Sequence, residues 1–212
     1  MSEVVAIGKW RNNAELIADV ARLGYLDGRV LDATYGEGKF WTEWQPESLT
    51  TNDIAKQADH HHDYKALPFT SGHFDAVVFD PPYRLSGRRD QGEFDHRYGL
   101  CEYRSNDDIL ADIVDGAIEC FRVCSRHLLV KCQDQVNGSR MRWQTDLITG
   151  ELERVGARKV DRFDLVMAAI RPQPAHRPQV TARRNHSTLL VFRRMVDTPP
   201  QDESLFDPEE AV

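Results

Sequence analysis

The sequence predicts an α/β fold, a mostly parallel sheet covered by helices on both faces. Two observations predict it. Strand-like and helix-like patterns alternate through the first two thirds of the chain. Three sharp motifs, at residues 32–38, 52–53 and 80–83, fall at the carboxyl ends of the expected strands, where ligands sit in folds of this class. A chain of 212 residues, 41% hydrophobic and 29% charged, can bury a proper core as one large domain.

The elements follow in order. Trp10 to Leu23 reads as a helix, with Leu16, Ile17, Val20 and Leu23 at three- and four-residue spacing and Gly24 and Gly28 beyond it. Arg29–Asp32 is a short buried strand that runs into Ala33-Thr-Tyr-Gly-Glu-Gly-Lys39, then a short helical stretch through Phe40, Trp41 and Trp44. Leu49–Asp53 is a second strand, and Phe74–Phe79 is a central strand ending at Asp80-Pro81-Pro82-Tyr83. Residues 84–106 form a long polar loop of the kind that carries function. Asp107–Val123 is a helix with Ile109, Leu110, Ile113, Val114, Ala117, Ile118 and Phe121 on one stripe. A strand at His127–Cys132, a helix at Trp143–Val155 and strands at Lys159–Met167 and Ser187–Phe192 complete the set. The expected division is one domain over residues 1–196, with substrate loops at 84–106 and 171–186, and an acidic tail at 197–212 whose composition predicts disorder.

Composition narrows the function classes. No apolar run approaches the roughly 18 residues of a membrane-spanning helix, so an integral helical membrane protein is excluded. The start of the chain shows no secretory pattern, and the four unevenly spaced cysteines read as reduced thiols, which predicts a cytoplasmic protein. The net charge of −7 is sorted along the chain. Residues 197–212 hold six acids and no Lys or Arg, whereas residues 171–194 hold six arginines and no acid. That basic part is compatible with a polyanion partner, or with a solvated loop.

Three motifs carry chemistry. In Asp32–Gly38 a strand ends on an acid and turns through Gly36 and Gly38, which let a backbone approach a ligand. The third glycine of the dinucleotide pattern is replaced by Trp41, and Gly38-Lys39 is followed by Phe40 rather than Ser or Thr. A nucleoside without a pyrophosphate therefore fits better. Asp53, at the end of the second strand, can accept both hydroxyls of a ribose, or serve as an acidic turn residue. Asp63, before Leu67-Pro68-Phe69, can accept from an adenine amino group, or be a plain loop acid. In Asp80-Pro-Pro-Tyr83 the two prolines stiffen the chain so that Asp80 and a carbonyl face the cleft as acceptors for the two hydrogens of an exocyclic amine. Such an amine is a poor nucleophile because its lone pair is delocalised. Acceptors on both N–H bonds direct that lone pair toward an electrophile. Tyr83 offers a flat face for a base. A structural Asp-Pro turn is the alternative.

Taken together, Asp32–Phe40, Asn52-Asp53, Asp63 with Leu67–Phe69, and Phe79–Tyr83 resemble the successive motifs of the S-adenosylmethionine-dependent amino methyltransferases of the N6-adenine/N4-cytosine DNA methylase type, the DPPY family. The resemblance spans roughly residues 12–194. It implies a Rossmann-like class I methyltransferase with a seven-stranded, mostly parallel sheet, one antiparallel strand and a final hairpin from Lys159–Met167 and Ser187–Phe192. It implies S-adenosyl-L-methionine as cofactor, with Asp32, Ala33, Thr34, Tyr35, Gly36 and Gly38 at its methionine part, Asp53 at its ribose and Asp63 at its adenine. Asn13 sits where the family has a further cofactor-contacting segment. Asp80, Pro81, Pro82 and Tyr83 would take the target base. An acid at the first tetrapeptide position leans toward adenine, hence a site-specific adenine methyltransferase acting on DNA.

Arg84, Arg88, Arg89, Arg97 and Arg104, with Arg171, Arg177, Arg183 and Arg184, are candidates for backbone phosphates. Sequence-specific members carry a separate recognition region, and here only the two loops are available for it. His60-His61-His62 points in diverging directions and lacks a completing ligand set, so no metal site is expected. Cys120 and Cys124 read as core thiols, and Asp134 as a helper or structural acid bordering the cleft. Competing readings are RNA methylation at tRNA guanine-N2 or rRNA adenine-N6, cytosine-N4 methylation of DNA, and a non-catalytic binding subunit.

Overall fold

The computed structural model describes residues 4–6, 10–85, 105–137, 140–167, 181–182 and 184–195. Helix α1 spans Asn13–Arg22; the Asn12 side chain caps it by accepting the Glu15 N–H. Predicted to begin at Trp10, the helix starts three residues later because Asn12 is the cap. Strands β1 (Arg29–Asp32), β2 (Ser48–Thr51), β3 (Phe74–Phe79) and β4 (Cys124–Cys132) follow, then β5 (Gln135–Asn137), β6 (Arg140–Arg142), β7 (Ala157–Val166) and β8 (His186–Arg194). Helix α2 is Asn106–Val123, opened by a capping box between Ser105 and Asp108, and helix α3 is Gln144–Arg154.

Among the described residues the main sheet has six strands in the order β2-β1-β3-β4-β8-β7. This corrects the expected seven. The pairings among β2, β1, β3 and β4 are parallel, while β8 runs antiparallel to both β4 and β7. A single antiparallel strand in a mostly parallel sheet is as expected. Outside β2 the sheet continues only as one isolated parallel bridge, Asn52 to His60. The polar run Asp59-His-His-His-Asp63 has no apolar residues with which to extend a sheet edge into a seventh strand.

Alternate residues face opposite layers. Leu31, Val77, Phe79, Leu128, Val130 and Leu190 pack under α2 and α3. Val30, Ala76, Val78, Leu129, Leu189 and Val191 pack under α1. Cys120, Cys124 and Cys132 are buried free thiols. The small antiparallel ribbon β5–β6 leaves no mark in the sequence pattern, because its three-residue strands are too short to show a period. Among the described residues no helix is long and apolar enough to cross a membrane.

Candidate active site

Parallel strands deliver their last residues to one edge. Asp32 closes β1, Asp80 follows β3 and Lys131 lies near the end of β4. The pairs Asp32–Val78 and Val78–Leu129 set the register, so Asp32, Asp80 and Lys131 fall on the α1 side of three adjacent strands.

Two cavities open along this edge. The first, about 200 Å³, is lined by Asn13, Asp32, Thr34, Tyr35, Gly36 and Phe40 among others. The second, about 190 Å³, is lined by Ala33, Asn52, Asp53, Ile54, Asp63, Tyr64 and Pro82 among others. Thr34 and Asp80 line both. The predicted methionine-side residues, Ala33 and Gly38 apart, thus border one cavity, and the predicted ribose and adenine acids border the other. Gly38 is not among the lining residues. It adopts φ 69°, and a Cβ there would fall 2.6 Å from the Tyr35 hydroxyl, so its role is to let Tyr35 lie across the turn.

Asp32 is buried. It accepts the Trp41 indole N–H at 2.7 Å and the Thr34 N–H at 3.0 Å. Trp41, in the place where a dinucleotide site has glycine, is therefore a partner of the acid before the turn. Burial pushes the Asp32 carboxyl up to about 7 despite these bonds, with Asp80 and Asp53 nearby adding to the rise. Asp53 accepts Gly36 N–H at 2.8 Å on one oxygen, and Ala55 and Lys56 N–H at 2.8 and 2.7 Å on the other. Its remaining lone pairs are what a diol could use. Asp63 is exposed and accepts the Lys65 N–H at 2.9 Å.

Asp80 is half-buried, yet its Oδ1 is fully buried and has no hydrogen-bond partner. Burial pushes this carboxyl up to about 6, and the charge of Lys131 draws it down. The corner behind it is held from both sides. The Gln135 and Gln144 amides each donate to the Tyr83 carbonyl at 2.8 Å. The Tyr83 ring packs against the core and does not line either cavity. Burial pushes the Tyr83 phenol up.

Three polar residues take positions at this edge to which the sequence assigns no role of their own, although Asn52 belongs to the Asn52-Asp53 motif. Asn52 donates to the Ala33 and His62 carbonyls at 3.1 and 3.0 Å and accepts the His62 N–H at 2.9 Å, joining the strand-end turns. Gln144 is fully buried although polar. Lys131 is also fully buried, and its signal is legible as a lysine inside the apolar run His127–Cys132.

Of the arginine candidates, Arg84 is exposed and Arg184 stacks its guanidinium over the half-exposed Trp143 ring at 5.2 Å. Arg88, Arg89, Arg97, Arg104, Arg171, Arg177 and Arg183 lie outside the described residues, as does the acidic tail. Among the described residues no group of His, Cys, Asp and Glu could hold a metal ion; His60 stacks with His62 and packs edge-on to Phe69. Asp134 is buried and accepts from the Thr145 N–H and hydroxyl, a structural role at the start of α3.

No family model matches the chain and no curated protein matches it. Solved structures do. The chain is similar to an S-adenosylmethionine-dependent methyltransferase from Methanosarcina mazei, at 12% identity and a TM-score of 0.50, covering 84% of this chain and 98% of that one. Magnesium protoporphyrin IX methyltransferase from Synechocystis, solved with bound S-adenosylmethionine, aligns at 14% identity and a TM-score of 0.48 over 86% of this chain and 78% of that one. A candidate DNA modification methylase from Thermus thermophilus aligns at 14% and 0.43 over 66% and 56%. The likeness to the Methanosarcina mazei protein shows that this chain has the Rossmann-like fold of the S-adenosylmethionine-dependent methyltransferases.

Proposed function

We propose that this chain is an S-adenosylmethionine-dependent methyltransferase acting on the exocyclic amino group of a nucleobase, with adenine N6 in DNA the preferred target. The observation that carries the reading is the Asp80 Oδ1, a buried acceptor with no partner at the wall shared by two cavities. An unpaired buried acceptor costs about 1–3 kcal/mol, which a ligand N–H would offset.

The cavity residues fit the cofactor. Asn13, Thr34 and the Gly36 turn would hold its methionine part, and Asp32 with Asp80 would favour its positive charge. Asp53 would hold its ribose, and Ile54 and Asp63 its adenine. When bound, S-adenosylmethionine supplies an activated methyl group on its sulfonium. The chain's own work is positioning, and a near-attack arrangement can supply on the order of 7–11 kcal/mol. Asp80 Oδ1 and a carbonyl of the proline corner accept the two N–H bonds of the target amine and direct its lone pair to the methyl group. Asp80 Oδ1 can then take the proton that the nitrogen sheds.

An acid at position 80 supports adenine over cytosine, following the resemblance. A base in duplex DNA must leave the stack, at a cost of a few kcal/mol. Arg84 and Arg184 support contacts to the flanking phosphates, and the Trp143 ring under Arg184 adds an aromatic face beside them. The test is incubation with labelled S-adenosylmethionine and separate pools of DNA and RNA. Label in N6-methyladenine of DNA is expected. Label in RNA alone rejects the DNA assignment, and cofactor binding without transfer to either pool rejects catalysis on nucleic acid.

A further inference from the structure

Lys131 is the least expected side chain in the protein. It is fully buried near the carboxyl end of β4, one step beyond the last β3–β4 pair, Phe79 and Val130. Its ammonium donates to Asn13 Oδ1 and lies 6.0 Å from the centre of the Phe40 ring. Both Asn13 and Phe40 line the first cavity. Among the described residues no carboxylate lies within 4.0 Å of Lys131, so it is not half of a direct ion pair. A buried lysine without such a pair is costly to keep charged, and the fold retains it beside Asp80.

Two consequences follow from its chemistry. An ammonium can only donate. Asn13 must therefore turn its carbonyl oxygen to Lys131, which leaves its two amide N–H donors for the cavity it lines. Separately, Asp80 keeps both oxygens as acceptors, and can take the proton that the target amine sheds, only while ionised; a protonated carboxyl carries an O–H on one oxygen.

We propose that Lys131 is a positioning residue for this site, a buried ammonium that aims the amide donors of Asn13 into the cofactor cavity and holds Asp80 in its acceptor form. The second half rests on the reading of Asp80 as acceptor for the target amine. The donors aimed by Lys131 suit an anionic group, and the carboxylate at the methionine end of the cofactor is one.

The charges around Asp80 agree with this arrangement. On β1 stands Asp32, after β2 Asp53, and in the corner Tyr83; Glu37, Lys39 and Lys56 line the first cavity, and His62, Asp63, Lys65 and Asp112 line the second. Lys131 is the neighbour whose charge draws Asp80 down, against burial that pushes it up to about 6. Burial pushes Lys131 itself down to about 8, and Asp80 draws it back up. The two groups thus support each other's charged forms through a medium of low polarity.

The experiment follows the two groups directly and needs no methyl acceptor. Full-length protein with ¹³C-carboxyl aspartate and ¹³Cε lysine is titrated by NMR, with D80N assigning the Asp80 signal and K131R the Lys131 signal. In K131M the Asp80 midpoint should rise by roughly one unit; an unchanged midpoint overturns the electrostatic half. By linkage, the Lys131 midpoint should fall by a similar amount in D80N. That second measurement decides the matter if K131M does not fold, and an unchanged Lys131 overturns it equally. N13A should weaken S-adenosylmethionine binding about tenfold while leaving the Asp80 midpoint in place. Unchanged affinity overturns the Asn13 half. Failure of the nucleobase reading would show instead in the labelled-transfer assay.

Discussion

The Thr34 hydroxyl accepts the backbone N–H of Asp80 at 2.7 Å across 46 residues of sequence. This one bond ties the glycine turn after β1 to the proline corner after β3, the two segments that line both cavities. Replacing Thr34 with Val keeps the shape and removes the acceptor. T34V should lose about 1–3 kcal/mol in denaturant unfolding, with turnover falling more than cofactor affinity. T34S should restore both, because it retains the oxygen. Equal behaviour of T34V and T34S would show that the bond does not position Asp80.

The Tyr83 carbonyl is gripped by two amides, and the fully buried Gln144 also accepts the Gln133 N–H at 3.3 Å. Q144L removes one grip and a buried acceptor. Turnover should fall about tenfold or more, as about 1.4 kcal/mol of lost positioning would give, with cofactor affinity little changed because Gln144 does not line either cavity. Calorimetric binding beside steady-state kinetics separates the two effects.

Asp32 and Asp80 are both raised by burial, to about 7 and about 6. Their charged forms attract a sulfonium. Affinity for S-adenosylmethionine should therefore rise as pH increases from about 5 to about 8, and affinity for S-adenosylhomocysteine, whose sulfur is neutral, should rise less. Stability has the opposite sign. Between the ordinary carboxylate range and about 6 to 7 the folded protein keeps protons that the unfolded chain has shed, so these two groups lose the fold stability as pH rises through that window. D80N lacks the Asp80 contribution and should gain on the wild type from about pH 4 to about pH 7 in unfolding measurements without cofactor.

Gly116 and Gly150 both sit in helices, α2 and α3, and predict opposite outcomes. A Cβ at Gly116 would lie 2.5 Å from Tyr64 and 2.6 Å from Phe79, whereas at Gly150 it meets nothing within 4 Å. G150A should gain up to about 1 kcal/mol from helix propensity. G116A should lose about 1–3 kcal/mol by overpacking, and because Tyr64 lines the second cavity and Phe79 precedes Asp80, cofactor affinity should fall with it. Thermal melts of the two variants provide the check.

Much of this protein is determined by its sequence alone. Arg29–Asp32 and Phe74–Phe79 are legible to the residue, because short β-branched and apolar stretches bounded by turn residues are too short for a helix and suit a strand buried on both faces. Parallel strands end together, so acids read at strand ends had to meet at one edge, and Asp32, Asp53, Asp63 and Asp80 do border adjoining cavities. What only the tertiary structure decided are the contacts between residues far apart in the chain. Lys131 becomes a buried neighbour of Asp80 by strand register, Gln135 and Gln144 hold a carbonyl 52 and 61 residues away, and the Tyr83 ring packs against the core. That the sheet stops at six strands among the described residues is likewise a matter of long-range pairing, since the polar run at 59–63 offered a position for a seventh but no apolar surface to hold it. Local periodicity reports which face of an element is buried; it holds no information on which polar atoms will be closed in together once the faces meet.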